Sequence, residues 1–187
     1  MPSRREFDTY FTPPWQVDAL CHFVPSISGV IWEPCAGDLS LVTQLLIAAP
    51  KVELVVTNDL NPECQTDYHE DATGRHAWEH MREAQGQSPD WVVTNPPFKQ
   101  ALPILKLALE FAQVGVALLS RISFVEPTRV RGPWFIDHPH DQRIVLERWS
   151  YTGDGRSDAA TTEWLIYARD WRVLTPPFGV SAYGFKP

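Results

Sequence analysis

The residues with the clearest chemical potential are Asn95-Pro96-Pro97-Phe98, which directly follow the apolar run at 91–94. Asn95 offers a side-chain carbonyl, and Pro96 a backbone carbonyl in a segment that the proline rings make rigid. Two such acceptors can hold both hydrogens of an exocyclic amine, and Phe98 offers a ring on which a flipped-out base can stack. The motif therefore predicts chemistry at an aromatic amine. The alternative is a plain turn, since Asn-Pro is a common turn dipeptide.

Three acidic residues stand near the ends of predicted strands, in chain order before Asn95. They are Glu33, Asp59 and Asp71, and the small-residue turn Pro34-Cys35-Ala36-Gly37 follows the first of them. Small residues let a ligand approach the backbone, and acids at strand ends suit an ammonium group, a ribose diol or an amino group. Each acid alone is more typical of a solvated strand end. Together, in this order, they predict a nucleotide site.

An alternation of strands and helices would position these groups. Apolar runs predict strands at 30–33, 52–58, 91–94 and 115–119, separated by helices at 40–49, 75–84 and 100–113. Such alternation is typical of a parallel α/β sheet, whose strands end at one shared edge. We expect Thr12 to cap a first helix, opened by Pro13 or Pro14. Two further strands are predicted at 144–151 and 162–168. The predicted inward stripe of the third helix is Leu102, Leu105, Leu109 and Ala112.

With these motifs in this order, the chain resembles a class I, S-adenosylmethionine-dependent N6-adenine DNA methyltransferase. The resemblance is to the compact enzymes of phages, prophages and restriction-modification. Tyr10-Phe11-Thr12-Pro13 is similar to the segment that closes over the methionine end of the cofactor, and its place ahead of Glu33 is the gamma-type motif order. The implied fold is α/β, a Rossmann-like methyltransferase sheet, mostly parallel with a C-terminal antiparallel hairpin and helices on both faces.

The resemblance also implies a role for each motif. Glu33 would face the methionine ammonium, Asp59 the ribose hydroxyls and Asp71 the cofactor adenine. The implied cofactor-binding residues are Tyr10, Phe11, Thr12, Pro13, Glu33, Pro34, Cys35, Ala36, Gly37, Asp59, Leu60, Asp71, Ala72 and Asn95. The implied catalytic residues are Asn95, Pro96, Pro97 and Phe98, and the implied substrate-binding residues are Phe98, Arg121, Arg129, Arg131 and Asp154. No metal is implied.

Leu39 is a departure from the family pattern. It stands where these families usually carry a second glycine, two residues after Gly37. A Cβ at this position is expected to crowd the cofactor, so the departure bears on the affinity for the cofactor more than on the location of the site.

The charge of the chain is unusual for a protein expected to approach a polyanion. The formal net charge is −7, yet residues 1–100 hold six basic and fourteen acidic side chains, whereas residues 101–187 hold ten and nine. Arginines of the later half fall where the substrate would lie, and a guanidinium matches the shape of a phosphate. They are Arg121, Arg129, Arg131, Arg143, Arg148 and Arg156. The alternative for any one of them is an ordinary mixed surface.

Length and composition suit one globular domain. The chain has 187 residues, of which 44% are hydrophobic and 21% charged. We expect a single methyltransferase domain over 1–187, in which 121–148 is the substrate-recognition insert and no separate target-recognition domain is present. Within or beside that insert, Trp134, Phe135 and Trp149 are available for stacking or for the core.

The remaining signals concern location and metals. The N-terminus lacks an apolar signal region and no run is long enough to cross a bilayer, so we expect a cytoplasmic protein. Three cysteines without a Cys-x-x-Cys pairing predict neither disulfides nor a zinc site. His76 and His80 are one helical turn apart, but their charged neighbours are typical of an exposed helix face and not of a pair of metal ligands.

Alternatives remain open at this point. The expected partner is duplex DNA with a flipped adenine, but Asn-Pro-Pro-Phe also occurs in RNA N6-adenine methyltransferases. Protein-glutamine methyltransferases share the amine chemistry, although a tyrosine is common there at the position of Phe98. A non-catalytic methyltransferase-fold subunit that binds nucleic acid is an alternative of another class, and Leu39 is the residue that favours it. A dimer is also left open.

Overall fold

The computed structural model describes residues 11–148, 161–170, Arg172, Leu174 and the backbone of 179–183. These residues form helices, strands and one 3₁₀ turn, Ile122–Val125. The helices are α1 (Pro14–Phe23), α2 (Ser40–Ala48), α3 (Arg75–Gln85), α4 (Ala101–Phe111) and α5 (Arg131–Asp137). The strands are β1 (Gly29–Glu33), β2 (Val52–Thr57), β3 (Trp91–Thr94), β4 (Gly115–Arg121), β5 (Gln142–Leu146), β6 (Thr162–Ala168) and β7 (Gly179–Tyr183).

The strands form one sheet in the order β2-β1-β3-β4-β6-β5-β7. β1 pairs in parallel with β2 and β3, and β3 pairs in parallel with β4. β6 runs antiparallel between β4 and β5, and β7 pairs in parallel with β5. The predicted α/β sheet, mostly parallel with a C-terminal antiparallel hairpin, is therefore confirmed.

The core has two halves, one on each face of the sheet. Successive strand residues point to opposite faces, so Ile31 belongs to the half covered by α1 and α2, whereas Trp32 belongs to the half covered by α3 and α4. Helices on both faces were expected from the resemblance, and this is confirmed. Burial on both sides makes the parallel strands almost continuously apolar, which is why short apolar runs located them.

Tryptophans fill much of this core and also hold loops in place. Trp32, Trp78, Trp91 and Trp164 are fully buried. The indole N–H of Trp164 donates to the backbone oxygen of Gln16 at 2.8 Å, which fixes α1 over β6. The indole N–H of Trp78 donates to the backbone oxygen of Ala72 at 2.9 Å. Truncating a buried tryptophan to alanine costs about 3–5 kcal/mol, so these residues stabilise the fold as well as the loops beside it.

Two local predictions near the helices are wrong. The N-cap of α1 is Pro13, whose side chain makes no capping bond, and Thr12 contacts other segments instead. The buried stripe of α4 is rotated from the predicted one, because Leu102 and Leu109 are only partly buried. The buried residues of α4 are Ala101, Ile104, Leu105, Ala108 and Phe111.

The C-terminal region differs most from expectation. β5 begins and ends earlier than the predicted strand at 144–151, and its alternate residues Gln142, Ile144 and Leu146 are buried. Residues 149–151 lie outside the described part. β7 was not predicted, and it extends the sheet beyond β5. Because β5 is a strand of the sheet, only residues 122–141 of the substrate-recognition insert expected at 121–148 lie between β4 and β5.

No helix in the described part of the chain is long and apolar enough to span a membrane.

Candidate active site

Asn95 directly follows β3 and lies at the carboxyl edge of the sheet. All four residues of β3 are buried, so the strand is fixed in the core. Pro96 is buried, and Pro97 and Phe98 are half-buried. The N–H of Gln100 donates to the backbone oxygen of Pro97 at 2.8 Å and closes the turn into α4. The prolyl segment is therefore held by a buried strand on one side and by a hydrogen-bonded turn on the other.

Thr12 joins Asn95 to the start of α2. Asn95 Nδ2 donates to Thr12 Oγ1 at 3.0 Å, across 83 residues of sequence. The backbone N–H of Thr12 donates to Ser40 Oγ at 3.1 Å. The segment before α1 and the Asn95 loop, which the sequence analysis assigned to one site, are thus in contact, and both meet the start of α2 through Thr12.

Glu33 is a buried carboxyl group at the end of β1, with 1% of its surface exposed. Its Oε1 accepts from the backbone N–H of Cys35 at 2.9 Å. Burial raises the pKa of Glu33 to about 8, while the nearby Thr94 hydroxyl and the backbone N–H groups of Cys35 and Asn95 lower that pKa by smaller amounts. Glu33 Oε2 and Thr94 Oγ1 are buried, and neither has a partner within hydrogen-bonding geometry in the described structure. An unsatisfied carboxylate oxygen fits an ammonium group, which would supply both charge and donors.

The turn after Glu33 uses left-handed backbone at two positions. Gly37 has φ 52° and Leu39 has φ 64°. Leu39 is the only non-glycine residue with positive φ in the described part of the chain. The residue that stands where the enzymes resembled by this sequence carry a second glycine therefore adopts a glycine-like conformation, and a Cβ in that conformation costs about 1–2 kcal/mol. The Leu39 N–H donates to the backbone oxygen of Ala36 at 2.9 Å, which closes the turn into α2.

Asp59 holds this turn against the end of β2. Its Oδ2 accepts from the backbone N–H of Gly37 at 2.8 Å, and its Oδ1 accepts from the N–H of Asn61 at 2.8 Å. Each carboxylate oxygen has a second acceptor position, so the group retains capacity for a diol. Leu60 beside it is exposed. The acid predicted to bind a ribose thus also shapes the loop predicted to receive the cofactor.

Asn58 is a residue of this region to which the sequence analysis gave no role. It is fully buried, and its Nδ2 donates to the backbone oxygens of Pro34 at 2.9 Å and Glu70 at 3.0 Å. Its Oδ1 accepts from the N–H of Glu70 at 2.9 Å. Asn58 therefore ties the Glu33 turn to the segment that carries Asp71. Its place in the sequence, directly before Asp59, carries no pattern that marks this role.

Asp71 is exposed and makes local contacts. Its Oδ1 accepts from both the backbone N–H and the hydroxyl of Thr73, at 2.9 and 2.7 Å. This arrangement is a turn that leads into α3, and it agrees with the plainer interpretation of an acid at the end of an element. Ala72, the next residue, is buried. The described contacts connect Asp71 to the site through its backbone neighbours and not through its carboxylate.

Phe98 and Arg121 meet at the expected position of the target base. The guanidinium carbon of Arg121 lies 4.5 Å from the centroid of the Phe98 ring. Arg121 ends β4 and is exposed. A cation over an aromatic face is worth about 0.5–1 kcal/mol at an exposed site. Two residues predicted independently to contact substrate are therefore one stacked unit.

The segment between β4 and β5 carries the other predicted arginines. Arg129 is exposed, whereas the guanidinium of Arg131 lies 5.7 Å from the centroid of the Phe124 ring. Trp134 and Phe135 are half-buried against the core, which limits them as stacking surfaces. Their interior contacts follow from the packing of α5 on the 3₁₀ turn, where Phe124 and Phe135 meet edge to face at 5.4 Å.

Arg143 contacts protein, and this corrects its expected place among the substrate-facing arginines. Its Nε and terminal nitrogen donate to Glu163 Oε2 at 2.7 and 2.6 Å. Glu163 is fully buried, and burial raises its pKa to about 7, with Arg143 opposing that rise. The two residues lie on adjacent strands with side chains on one face, so the pairing of β5 with β6 brings them together.

The histidine pair of α3 makes its contacts with Glu70 and between its own two rings. His80 Nδ1 contacts Glu70 Oε1, and the rings of His76 and His80 stack with centroids 6.3 Å apart. Both histidines are exposed. Across the described residues, no group of three or more His, Cys, Asp or Glu is placed to hold a metal ion.

The structure brings some of the predicted site residues together and places others apart. Direct contacts join Thr12 with Asn95, Gly37 with Asp59, and Phe98 with Arg121, all near strand ends. Of the others in the segment before α1, Pro13 is buried and Phe11 is exposed. Arg129 and Arg131 lie apart on the segment between β4 and β5. Tyr10 and Asp154 lie outside the described residues, as do Trp149 and Arg156.

Comparison with known proteins identifies the fold. No protein-family model matches the sequence, and no curated protein sequence matches it. The structure is similar to the methyltransferase subunit of a type I restriction-modification system from Streptococcus thermophilus, at TM-score 0.65 and 12% identity over 86% of this chain. A proposed RNA methyltransferase from Pyrococcus horikoshii gives TM-score 0.56 and 16% identity over 87% of both chains. An O-methyltransferase from Bacillus cereus, in complex with SAH, gives TM-score 0.56 and 8% identity, over 89% of this chain and 84% of that chain.

These similarities show a common architecture. At identities of 8–16% they establish the Rossmann-like methyltransferase fold of this chain. The chain spans only 45% of the length of the restriction-modification subunit.

Proposed function

We propose that this protein is an S-adenosylmethionine-dependent methyltransferase that modifies the N6 amino group of adenine in DNA. The observation that carries the proposal is the position of Asn95-Pro96-Pro97-Phe98, directly after β3 at the carboxyl edge of a methyltransferase-fold sheet. In open α/β sheets this edge is where ligands bind. Asn95 lies near Glu33, since its backbone N–H is one of the groups that lower the pKa of the Glu33 carboxyl.

The residues around Glu33 would hold the cofactor, whose sulfonium supplies the methyl group. Glu33 Oε2, which is buried without a partner, suits the cofactor ammonium. Asp59 retains acceptor positions for the ribose hydroxyls, and Gly37 keeps the intervening turn free of a side chain. Asp71 and Ala72 would line the adenine end, as the resemblance implies.

The residues after β3 would act on the target base. The Asn95 side-chain carbonyl and the Pro96 backbone carbonyl accept the two amine hydrogens, which draws the nitrogen lone pair away from the ring. Both acceptors stabilise the positive charge that grows on nitrogen during transfer. The proton leaves to water afterwards, so no general base is required. Phe98, with Arg121 stacked on it, offers the platform for the flipped base.

An RNA substrate is the second candidate. It is favoured by the structural similarity to a proposed RNA methyltransferase, which extends over 87% of this chain and 87% of that chain. An adenine N6 amine is the same acceptor in both polymers, so the chemistry of Asn95 does not discriminate between them. The discriminating surface is the segment between β4 and β5, where Arg129 is exposed.

The experiment is methyl transfer from radiolabelled cofactor to a panel of duplex DNA, single-stranded DNA, RNA and protein. We expect label in DNA that digests to N6-methyladenine. Asn95→Ala should abolish most turnover and leave the affinity for S-adenosylhomocysteine nearly unchanged, because Asn95 is assigned to the target amine. Gln113→Ala, which changes an exposed amide near the start of β4, is the matched control. Label found only in protein or RNA would refute the assignment to DNA.

A further inference from the structure

Thr12 contacts Asn95 through the end of the amide that would not touch substrate. Asn95 Nδ2 donates to Thr12 Oγ1 at 3.0 Å. Thr12 is 2% exposed, so this bond is shielded from competition by water. An asparagine amide has a donor end and an acceptor end, and its terminal torsion has two roughly equal orientations unless a partner selects one. In the structure the Thr12 hydroxyl accepts from Nδ2, and this bond leaves Oδ1 directed away from Thr12.

Thr12 is itself held in place from both sides. Its N–H donates to Ser40 Oγ at the first residue of α2. Its C-terminal neighbour is Pro13, the N-cap of α1, with φ −60° and ψ 141°. The N–H of Ser40 donates to Asp38 Oδ1 at 3.0 Å, so Ser40 is fixed in turn. The hydroxyl of Thr12 is therefore held beside the Asn95 amide and is not a mobile surface group.

We infer that Thr12 is a positioning residue for methyl transfer, and that its hydroxyl turns the Asn95 amide so that Oδ1 faces the target amine. This inference rests on the proposed function. The opposite orientation would present the Asn95 NH₂ donors to the NH₂ of the substrate, and two donors cannot form the required bond. Thr12 also contacts Ser40 at the start of α2, next to the turn that would receive the cofactor. It therefore aligns the Asn95 carbonyl, which would accept from the target amine, with the segment that would hold the methyl donor.

A positioning role differs from the cofactor contact that the resemblance implies for this segment. A cofactor contact predicts weaker binding of S-adenosylhomocysteine when the hydroxyl is removed. A positioning role predicts lower kcat at nearly constant cofactor affinity. It also predicts that removing the hydroxyl has no further effect once Asn95 is absent, because the two residues act through one bond.

The first test does not depend on activity. The chain has three asparagines, Asn58, Asn61 and Asn95, so ¹⁵N-asparagine labelling gives three side-chain amide pairs, and Asn95→Ala assigns one. In Thr12→Val, which keeps the shape and removes the acceptor, exchange of the Asn95 amide protons should accelerate about 3- to 10-fold. Thr12→Ser should restore the slow exchange. Unchanged exchange in Thr12→Val would overturn the inference, whatever the activity of the protein.

The second test uses turnover on an adenine-containing duplex. Thr12→Val should lower kcat about 3- to 10-fold, Thr12→Ser should recover most of it, and the affinity for S-adenosylhomocysteine should change by less than about twofold. Lost affinity with unchanged kcat would overturn the inference in favour of a cofactor contact. A wild-type protein that methylates no nucleic acid would refute the proposed function alone, because the exchange experiment still decides the orienting contact. If Thr12→Val does not fold, Thr12→Cys supplies a weak acceptor of similar size for both tests.

Discussion

The buried carboxyl group of Glu33 predicts that cofactor binding depends steeply on pH. Its pKa is raised from 4.5 to about 8 by burial. This difference corresponds to about 5 kcal/mol of preference for the neutral acid. A neutral acid does not pair with an ammonium group, so the free protein must first release a proton. The competent fraction is about 1% at pH 6 and about a quarter at pH 7.5, and the apparent affinity scales with that fraction.

The assay is calorimetry with S-adenosylhomocysteine between pH 6 and 7.5, where the ligand's amine remains largely protonated. We expect the Kd of the wild type to fall about 25-fold over this range, with close to one proton released for each ligand bound near pH 6. Repeating the titration in buffers of different ionisation enthalpy counts that proton. Glu33→Gln keeps the shape and cannot ionise, so its Kd should be nearly independent of pH. Adenosine, which lacks the ammonium group, is the matched ligand control.

The stability of the free protein should show the linked effect. Because the folded-state pKa of Glu33 lies above its ordinary value, the stabilisation of the neutral form is fully present below pH 4.5 and is lost as pH rises through about 8. Glu163, with a pKa of about 7, acts with the same sign over a slightly lower range. A wild-type Kd that does not change between pH 6 and 7.5, or proton uptake on binding, would refute the assignment of Glu33 to the ammonium.

Two further predictions concern the cofactor turn and the nucleic-acid surface. Leu39→Gly should raise the free energy of unfolding by up to about 1 kcal/mol in urea denaturation, because it relieves a side chain at φ 64°. Leu39→Ala keeps the Cβ and should show no gain; equal stability of the two variants would contradict the strain argument. Replacing Arg129 and Arg131 together should reduce the log–log salt dependence of DNA binding by about one to two units. Most of this change should come from Arg129, since Arg131 lies over Phe124, and lost affinity at constant slope would indicate structural damage instead.

The strand-end motifs could be predicted because their signals are local. Apolar runs of four to seven residues mark the buried strands, and chain order in a parallel sheet brings their carboxyl ends to one edge. Glu33, Asp59 and Asn95 therefore follow from the sequence as neighbours at one edge. β6 was predicted with its observed bounds for the same reason. β7 was missed because its pairing with β5 depends on a contact distant in sequence.

Side-chain partners were not predictable, because each depends on where another element packs. The sequence predicted Thr12 as a helix cap, yet its partners Ser40 and Asn95 lie 28 and 83 residues away in the sequence. The sequence predicted Arg143 as one of several surface arginines, but the pairing of β5 with β6 places it against the buried carboxylate of Glu163. Asn58 carried no distinctive pattern, since its three bonds reach segments 12 and 24 residues distant.

The sequence by itself determined which chemical groups arrive at the carboxyl edge, because hydrophobic periodicity and strand order specify that much. Only the tertiary structure decided their electrostatic and conformational state. Burial of Glu33 on all sides raises its pKa, packing of the turn places Leu39 in left-handed backbone, and docking of α1 beside α2 sets the partner of Asn95. Desolvation and hydrogen-bond geometry are properties of the assembled surroundings, and a residue's type and spacing do not contain them.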